Sequence, residues 1–352
     1  MSRLLDAPAG GLTYAQAGVS IASGEAAVER IRGAVATTTR PGVVGSIGGF
    51  GGLFALDTSR YASPVLVAST DGVGTKLEVA RRVGRFDTVG VDLVAMLVDD
   101  LVCVGAEPLF VLDYVAVGAL DPARLEEVVA GVVEGCRLAG VALLGGETAE
   151  HAGVMEPDEI DLAGFAVGVV EAGRELGPAR VRAGDVLLGL ASPGLRSNGY
   201  SLARRVLVGD GASFDAPAWP GATVTLAEEL LRPSVIYAPT VRALLDTFDA
   251  GVHAAAHVTG GGVVGNVARM LTADLDATID LTSFETPEIF FEIQRRGPVA
   301  ADEMLRVFNC GLGMVLALDP SVAEAALTMA RASVGTQIVG RVRPGSGAVI
   351  LT

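Results

Sequence analysis

Residues 88–104, with the sequence TVGVDLVAMLVDDLVCV, constrain the fold more than any other segment. At 3.6 residues per turn, apolar side chains cover nearly every side of this helix, so the rest of the protein must enclose it. Three carboxylates interrupt the helix, at Asp92, Asp99 and Asp100. Asp92 and Asp99 lie on one helix face at a separation of about 10 Å. The chain must therefore fold in layers around an internal helix that carries acidic groups.

These carboxylates need partners, because an unpaired ionised group buried in an apolar helix costs several kcal/mol. A metal ion, an arginine or a water-lined site must therefore face them. We interpret Asp99 and Asp100 as metal or nucleotide contacts. For Asp92 the alternative is a helix cap or a solvent-facing position.

Strands and helices alternate along the whole chain, which predicts the α/β fold class. A chain of 352 residues exceeds the size at which a single core stops growing, so two domains are expected. The polar segment 171–185, rich in glycine and charge, predicts a boundary between domains 1–171 and 172–352. The predicted strands are 64–69, 109–117, 141–146, 162–170, 186–192, 253–258, 311–319 and 336–343. The predicted helices are 88–104, 122–139, one after 193–201, 225–231, 234–247 and 263–271.

Charge and composition exclude several functional classes. A formal net charge of −15 argues against nonspecific binding to nucleic acid or to an anionic membrane, both of which need a basic face. The three cysteines form no CxxC motif, so neither a disulfide framework nor a zinc site is indicated. The sequence shows neither the apolar region of a signal peptide nor an uninterrupted membrane-spanning run. We expect a cytoplasmic protein that binds no nucleic acid and no membrane.

The segment DGVGTK follows a predicted strand and ends with Lys76, the only lysine among 26 basic residues. Lysine carries a compact point charge, whereas arginine carries a broad planar group, so a tight phosphate pocket would select lysine. Gly72 and Gly74 would let backbone N–H groups approach phosphate, and Asp71 would hold Mg²⁺. The segment lacks the spacing of a Walker A loop. An ordinary Asp-Gly turn explains Asp71 and Gly72 but not the lysine.

Two further loops carry candidate residues in the first half of the chain. The run 45–52, GSIGGFGG, is interpreted either as a loop that closes over phosphates or as a plain linker. Glu147, in the sequence GGET, follows a predicted strand at the edge where α/β sheets bind ligands. Magnesium prefers a few carboxylates together with water and phosphate oxygens, which Asp71, Asp100 and Glu147 would supply.

The second half offers two candidate regions. Ser197, Asn198 and Gly199 precede a predicted helix whose N-terminus would hold a phosphate with the aid of Arg196, although helix capping explains them equally well. His257 lies directly before the sequence VTGGG and is the candidate general acid or base. The alternative for His257 is a hydrogen-bonded core residue.

Taken together, these segments resemble the phosphoribosylformylglycinamidine cyclo-ligase family (aminoimidazole ribonucleotide synthetases). The resemblance runs from about residue 13 to residue 343 and follows the order of the family's motifs. The motifs are GVSIASGEAAVERI, SIGGFGGLFAL, STDGVGTKLEVA, VGVDLVAMLVDDLVCVGAEPLFVLDY, LLGGETAE, SNGYSLARR, HVTGGG and FNCGLGM.

The resemblance implies a two-domain subunit with a C-terminal α/β sandwich. It also implies a homodimer in which the N-terminal half-sheets of two subunits form a barrel, with ATP bound near that interface. The implied reaction converts formylglycinamidine ribonucleotide and ATP into aminoimidazole ribonucleotide, ADP and phosphate, in purine biosynthesis.

By motif, Asp71, Asp100 and Glu147 match the metal-binding acids, and Lys76 matches the lysine of DGVGTK. The cofactors are then ATP and Mg²⁺, and Lys76 and His257 are the catalytic candidates. The candidates for ATP or phosphate binding are Gly48, Gly49, Gly51, Asp71, Gly72, Gly74, Thr75, Lys76 and Asp99. The candidates for substrate binding are Arg196, Ser197, Asn198, Gly199, Thr259, Gly260 and Gly261.

The sequence departs from the family pattern at three positions. Many relatives carry Asn at the position of Asp99 and His at the position of Arg196, so no catalytic histidine can be carried over there. Relatives often have Pro at the position of Ala152, which changes the expected shape of that loop.

Three rival functions differ in what they require of the sequence. A selenophosphate synthetase usually has a reactive Cys or selenocysteine near the N-terminus, but no Cys precedes Cys103. A kinase of the same superfamily remains the nearest alternative. A noncatalytic nucleotide-binding subunit would tolerate loss of the metal acids or the lysine, all of which are present.

Overall fold

The computed structural model describes residues 11–209 and 213–352. The strands are β1 (Val43–Val44), β2 (Leu53–Phe54), β3 (Pro64–Gly72), β4 (Glu107–Val117), β5 (Ala142–Glu150), β6 (Ile160–Glu171), β7 (Val186–Ala191), β8 (Val252–His257), β9 (Leu275–Ile279), β10 (Leu312–Leu318), β11 (Thr336–Pro344) and β12 (Val349–Leu351). The helices are α1 (Ile21–Ala36), α2 (Lys76–Val83), α3 (Val89–Cys103), α4 (Pro122–Ala139), α5 (Tyr200–Leu207), α6 (Leu226–Leu230), α7 (Ala238–Phe248), α8 (Gly262–Val267), α9 (Glu288–Arg296), α10 (Ala301–Val307) and α11 (Ala323–Arg331).

The first half of the chain forms a four-stranded sheet in the order β3-β6-β4-β5. β6 pairs antiparallel with both β3 and β4, whereas β4 and β5 are parallel and are connected through α4. In the described chain this sheet is open, with β3 and β5 at its two edges. Four strands at a spacing of about 4.8 Å place these edges roughly 14 Å apart.

The second half forms a six-stranded sheet in the order β12-β9-β11-β7-β10-β8. Its pairings are antiparallel except for β12 with β9. The predicted class of two α/β domains is therefore confirmed. The exact boundary at residue 171 stays a prediction; the strands of the first sheet end at Glu171 and those of the second begin at Val186.

Helix α3 is enclosed as its sequence requires, since all its residues except Asp100 and Cys103 are buried. It packs on α4 and the first sheet, and it also contacts α7 and β8 of the second domain. The approach to α4 is close at Gly90, where a Cβ atom would lie 2.1 Å from the backbone nitrogen of Val132. α3 therefore belongs to both cores, and its carboxylates are positioned at the junction of the two domains.

The predicted elements agree with the structure to within a few residues, and the helix 122–139 matches α4. Sequence analysis did not predict α1, α2, α9, α10, α11 or the short strands β1, β2, β9 and β12. Within the described part of the chain, no helix combines the length and apolarity needed to cross a membrane.

Candidate active site

Lys76 lies at the start of α2 and is completely buried. Its Nζ atom is 2.6 Å from Asp92 Oδ2 and donates to the carbonyl oxygens of Arg196 at 3.1 Å and Arg232 at 2.7 Å. Asp92 Oδ1 accepts hydrogen bonds from the backbone N–H of Ser234 at 2.9 Å and from its hydroxyl at 2.6 Å. Burial lowers the pKa of Lys76 and raises that of Asp92, while the opposite charge of each partner counteracts the shift.

This position does not agree with an ATP-binding role for Lys76. An ammonium group has three N–H donors, and the three found here are taken by Asp92 and two carbonyl groups. The side chain has no exposed surface through which a phosphate could reach it. Lys76 instead joins α2 and α3 of the first domain to two segments of the second. We predicted a phosphate pocket from the compact shape of lysine, but the structure uses this shape in a buried ion pair.

Asp99 is also buried, and its partners again come from the second domain. Its Oδ1 accepts from the backbone N–H groups of Tyr237 and Ala238, both at 2.8 Å, at the start of α7. Its Oδ2 accepts from Arg196 Nη2 at 2.7 Å. Burial raises the pKa of Asp99, and the charge of Arg196 opposes that rise. Asp99 was predicted to contact ATP, but it caps α7 and pairs with arginine, without exposed surface.

Arg196 continues this network to His257 and Asp100. Arg196 Nη1 lies 2.6 Å from His257 Nε2, and its guanidinium carbon lies 4.6 Å from the centre of the Tyr237 ring. His257 Nδ1 lies 2.9 Å from Asp100 Oδ1. Both His257 nitrogens are therefore occupied, which does not fit the predicted general acid or base. Arg196 is likewise buried, so it does not face a ligand phosphate in this structure.

The loop at Ser197–Gly199 meets the loop at 71–75 across the domain junction. Ser197 Oγ donates to the carbonyl oxygen of Val73 at 2.9 Å, and Thr75 Oγ1 lies 3.2 Å from Ser201 Oγ. Gly199 has φ +76° and a Cβ there would lie 2.3 Å from the Phe308 ring, so the position requires glycine. The structure thus brings together two loops that were predicted separately.

A cavity of about 310 Å³ lies between the β3 edge of the first sheet and β8 of the second. Its polar lining comes from Ser69, Asp100, His257, Asn266 and Arg269. Asp100 is the accessible acid, since 46% of its side chain is exposed. We call this space the junction cavity.

Asp71 lies near the junction cavity. It accepts from the Gly72 backbone N–H at 2.7 Å, and burial together with the nearby charge of Asp100 raises its pKa. Close to the junction cavity, Asn266 Nδ2 donates to the carbonyl oxygens of Gly260 and Gly262 and fixes the loop that contains Thr259 and Gly261.

A second and larger cavity, of about 1000 Å³, lies at the opposite sheet edge and is called here the glycine-loop cavity. Its walls are α1, the run 46–52, part of α4, the middle of β4 and most of β5. The run 45–52 is the loop between the paired strands β1 and β2, and Arg32 Nη1 donates to the carbonyl oxygen of Ile47 at 3.0 Å. Gly48, Gly49, Gly51 and Glu147 all line this cavity.

The three predicted metal ligands are thus divided between the two sides of the first sheet. Asp71 and Asp100 are neighbours at the β3 edge, whereas Glu147 lies on β5 at the other edge. Among the described residues, no three His, Cys, Asp or Glu side chains are arranged to hold a metal ion. Asp71 and Asp100 still fit Mg²⁺, because this ion commonly uses one or two carboxylates and completes its shell with water and phosphate oxygens.

Asp113 in the glycine-loop cavity was missed by sequence analysis. Its carboxylate lies over Gly146, where a Cβ would come within 1.7 Å of Asp113 Oδ1. Burial raises its pKa to about 7, and no cation opposes the shift. The sequence signal for it was an acid in the middle of the apolar strand LFVLDYVAV. At neutral pH this group exchanges a proton readily.

We expect Asp113→Asn to gain stability relative to the natural protein as pH rises from 4 to 7. The folded state keeps the Asp113 proton up to about pH 7, whereas the unfolded state, with a pKa near 3.8, has already released it. Wild-type stability from this group is therefore lost over that interval, and asparagine removes the loss, on the order of 3 kcal/mol. Urea unfolding of both proteins from pH 4 to 8 measures the difference; a constant difference would mean an ordinary pKa.

Two domain families match the chain. The N-terminal domain of AIR synthase related proteins matches residues 59–170, and the C-terminal domain of the same proteins matches residues 182–351. The chain therefore contains both domains in their natural order.

Solved structures with the same fold cover most of the chain. A thiamine-monophosphate kinase from Stenotrophomonas maltophilia is 21% identical with a TM-score of 0.67, covering 92% of this chain and 95% of that one. The hydrogenase maturation protein HypE in complex with ATP is 18% identical with a TM-score of 0.67, covering 99% and 93%. AaThiL complexed with AMPPCP and TMP is 18% identical with a TM-score of 0.55, covering 83% and 84%. At these identities the likeness establishes the fold.

Proposed function

We propose that this chain, which contains the N- and C-terminal domains of AIR synthase related proteins, is an ATP-dependent enzyme, a phosphoribosylformylglycinamidine cyclo-ligase. The observation that carries the proposal is the glycine-loop cavity. Its volume of about 1000 Å³ is at the upper end of ordinary ligand pockets, and a glycine-rich loop forms one wall. Relatives of the same fold were solved with ATP and with AMPPCP.

The choice of the cyclo-ligase over a kinase depends on the sequence motifs. The order and length of the motifs, from SIGGFGGLFAL to FNCGLGM, resemble the cyclo-ligase family over nearly the whole chain. The kinase is the second candidate, because a thiamine-monophosphate kinase shares the fold over 92% of the chain.

In the proposed reaction, ATP phosphorylates the formyl amide oxygen of formylglycinamidine ribonucleotide. The amidine nitrogen then attacks the activated carbon, the imidazole ring closes and phosphate leaves. Backbone N–H groups of the run 46–52 would bind phosphate oxygens. Asp71 and Asp100 lie at the opposite edge of the sheet in the same subunit, so they would hold Mg²⁺ for an ATP bound by a second subunit, where the ion would neutralise charge on the transferred phosphoryl group. Holding both reactants in one site would supply the orientation that ring closure requires.

The proposal is tested by ADP release from the purified protein with Mg²⁺-ATP and one acceptor at a time. We expect release with formylglycinamidine ribonucleotide, in a one-to-one ratio with aminoimidazole ribonucleotide. Release with thiamine monophosphate, together with a diphosphate product, would assign the kinase reaction instead. ATP binding without release for either acceptor would favour a noncatalytic nucleotide-binding subunit.

We propose in addition that the chain works as a homodimer through the first sheet. The face of this sheet opposite α3 exposes Leu66, Tyr114 and Phe165, with exposed fractions of 65%, 40% and 41%. Exposed apolar side chains grouped on one face are typical of an interface. If two sheets join β5 edge to β3 edge, Glu147 of one subunit approaches Asp71 and Asp100 of the other.

We expect a dimer in sedimentation at micromolar concentration, and complementation between inactive subunits. In a one-to-one mixture of Asp100→Asn and Glu147→Gln chains, half of the dimers are mixed, and each mixed dimer has one intact site of two. Activity should therefore recover to about a quarter of the wild-type value. An active monomer, or no recovery in proven mixed dimers, would contradict the shared site.

A further inference from the structure

Asp99 and Arg196, two of the positions at which the sequence departs from the family pattern, are in direct contact. Arg196 Nη2 lies 2.7 Å from Asp99 Oδ2, and the two side chains are 1% and 0% exposed. Asp99 lies on α3 of the first domain, whereas Arg196 lies in the loop before α5 of the second. Either charge alone would be strongly unfavourable at this depth, so each residue depends on the other.

The pair determines how the ring of His257 is protonated. Arg196 Nη1 lies 2.6 Å from His257 Nε2. A guanidinium group has donors only and does not lose its proton in proteins, so Nε2 must be the acceptor. The ring N–H is therefore on Nδ1, which donates to Asp100 Oδ1 at 2.9 Å. An Nε2–H group would place two donors against each other.

The series of contacts from Asp99 through Arg196 and His257 ends with Asp100 at the junction cavity. The side chain of His257 is 3% exposed, whereas that of Asp100 is 46% exposed. With Oδ1 bound to His257, Asp100 presents Oδ2 beside Ser69 Oγ, 3.5 Å away, and both residues line the cavity. Of the residues connected by these contacts, only Asp100 is accessible to a ligand.

The geometry points to Asp99, Arg196 and His257 as positioning residues, each of which orients the next. They hold the His257 ring with Nε2 as acceptor and Nδ1 as donor, and His257 in turn fixes the carboxylate of Asp100 toward the junction cavity. Asp99, which caps α7, ties this arrangement to the docking of the two domains. His257 has no free nitrogen with which to exchange a proton with a ligand.

The first test is ¹⁵N NMR of histidine-labelled protein at pH 7 without ligand. The chain has three histidines, so the spectrum is simple to assign. We expect the ring N–H of His257 to be on Nδ1, with no proton on Nε2. A proton on His257 Nε2 would overturn the inference. This readout does not depend on which reaction the protein catalyses, so it separates a failure here from a failure of the proposed function.

The second test uses the double variant Asp99→Asn with Arg196→Met, which removes both charges together and so avoids an unpaired buried ion. We expect protonation at His257 Nε2 to appear, while the signals of His253, paired with Asp185 at 2.7 Å, stay unchanged. In the ADP-release assay, which rests on the proposed function, kcat should fall about 10- to 100-fold with KM for ATP nearly constant. A folded double variant that keeps a single Nδ1–H tautomer and full kcat would overturn the inference.

Discussion

Replacing Lys76 by methionine is expected to destabilise the protein by about 3–5 kcal/mol, among the largest effects of a single substitution in this chain. The reason is the burial of Asp92, which has no exposed surface and loses its cationic partner at 2.6 Å. The Arg196 and Arg232 carbonyl groups lose their donor at the same time. Urea unfolding at pH 7 measures the loss as a lower transition midpoint.

Two further variants show whether the charge pair is the cause. Arg85→Met breaks an ion pair with Asp87 in which both side chains are about half exposed, so we expect less than about 1 kcal/mol. Combining Lys76→Met with Asp92→Leu removes both buried charges and should restore most of the stability. If Lys76→Met keeps wild-type stability and abolishes ATP turnover, Lys76 binds phosphate and the anchoring role is wrong.

The case of Lys76 shows where sequence reasoning reaches its limit. A unique lysine that follows a strand and two glycines is equally typical of a phosphate pocket and of a tight buried ion pair, because both need a compact cation. The distinguishing fact is the position of Asp92 and of the carbonyl groups of Arg196 and Arg232. Asp92 is on the next helix of the same domain, but the two carbonyl groups are more than a hundred residues from Lys76 in the sequence, and only the docking of the two domains brings them to it.

For the acidic residues of α3, the predictions from the sequence agree more closely with the structure. The apolar pattern correctly required an enclosed helix, and burial correctly required partners for Asp92 and Asp99. Arginine was one of the three partners considered, and Arg196 is the one that Asp99 has. The sequence could not indicate that backbone N–H groups of Tyr237 and Ala238 would share the same carboxylate.

Local patterns predicted the elements with a clear apolar periodicity and missed several in which that periodicity is weak. α3 and α4 have 15 and 18 residues and clear periodicity, so their bounds were predicted closely. α1 contains two glycines and has only Ala27 and Val35 buried, which leaves a weak apolar face. β9 and β12 are held by pairing with distant strands more than by their own composition. The division of the metal candidates between two sheet edges follows from strand order, which local patterns do not contain.

Replacing Asp100 by asparagine should lower kcat by about a hundredfold or more while stability changes little. Asp100 is the accessible acid of the junction cavity, and the proposed Mg²⁺ site loses a charged ligand when its carboxylate becomes an amide. Loss of a group that stabilises transition-state charge typically costs a few kcal/mol of activation free energy. The side chain of Asp100 is about half exposed and makes one close hydrogen bond, to His257, so folding depends on it weakly.

The same substitution at a matched position separates an effect on catalysis from an effect on stability. Asp87→Asn also changes an acid that is about half exposed, in an ion pair with Arg85, and it should leave both kcat and the unfolding midpoint near the wild-type values. Asp99→Asn should do the reverse of Asp100→Asn and lower stability first, because it leaves the guanidinium of Arg196 buried without a countercharge. Thermal melting and ADP release are measured on all three variants. Normal turnover of Asp100→Asn, or its unfolding, would return Asp100 to a structural role, because a metal-binding carboxylate on the cavity surface must act on the reaction and not on the fold.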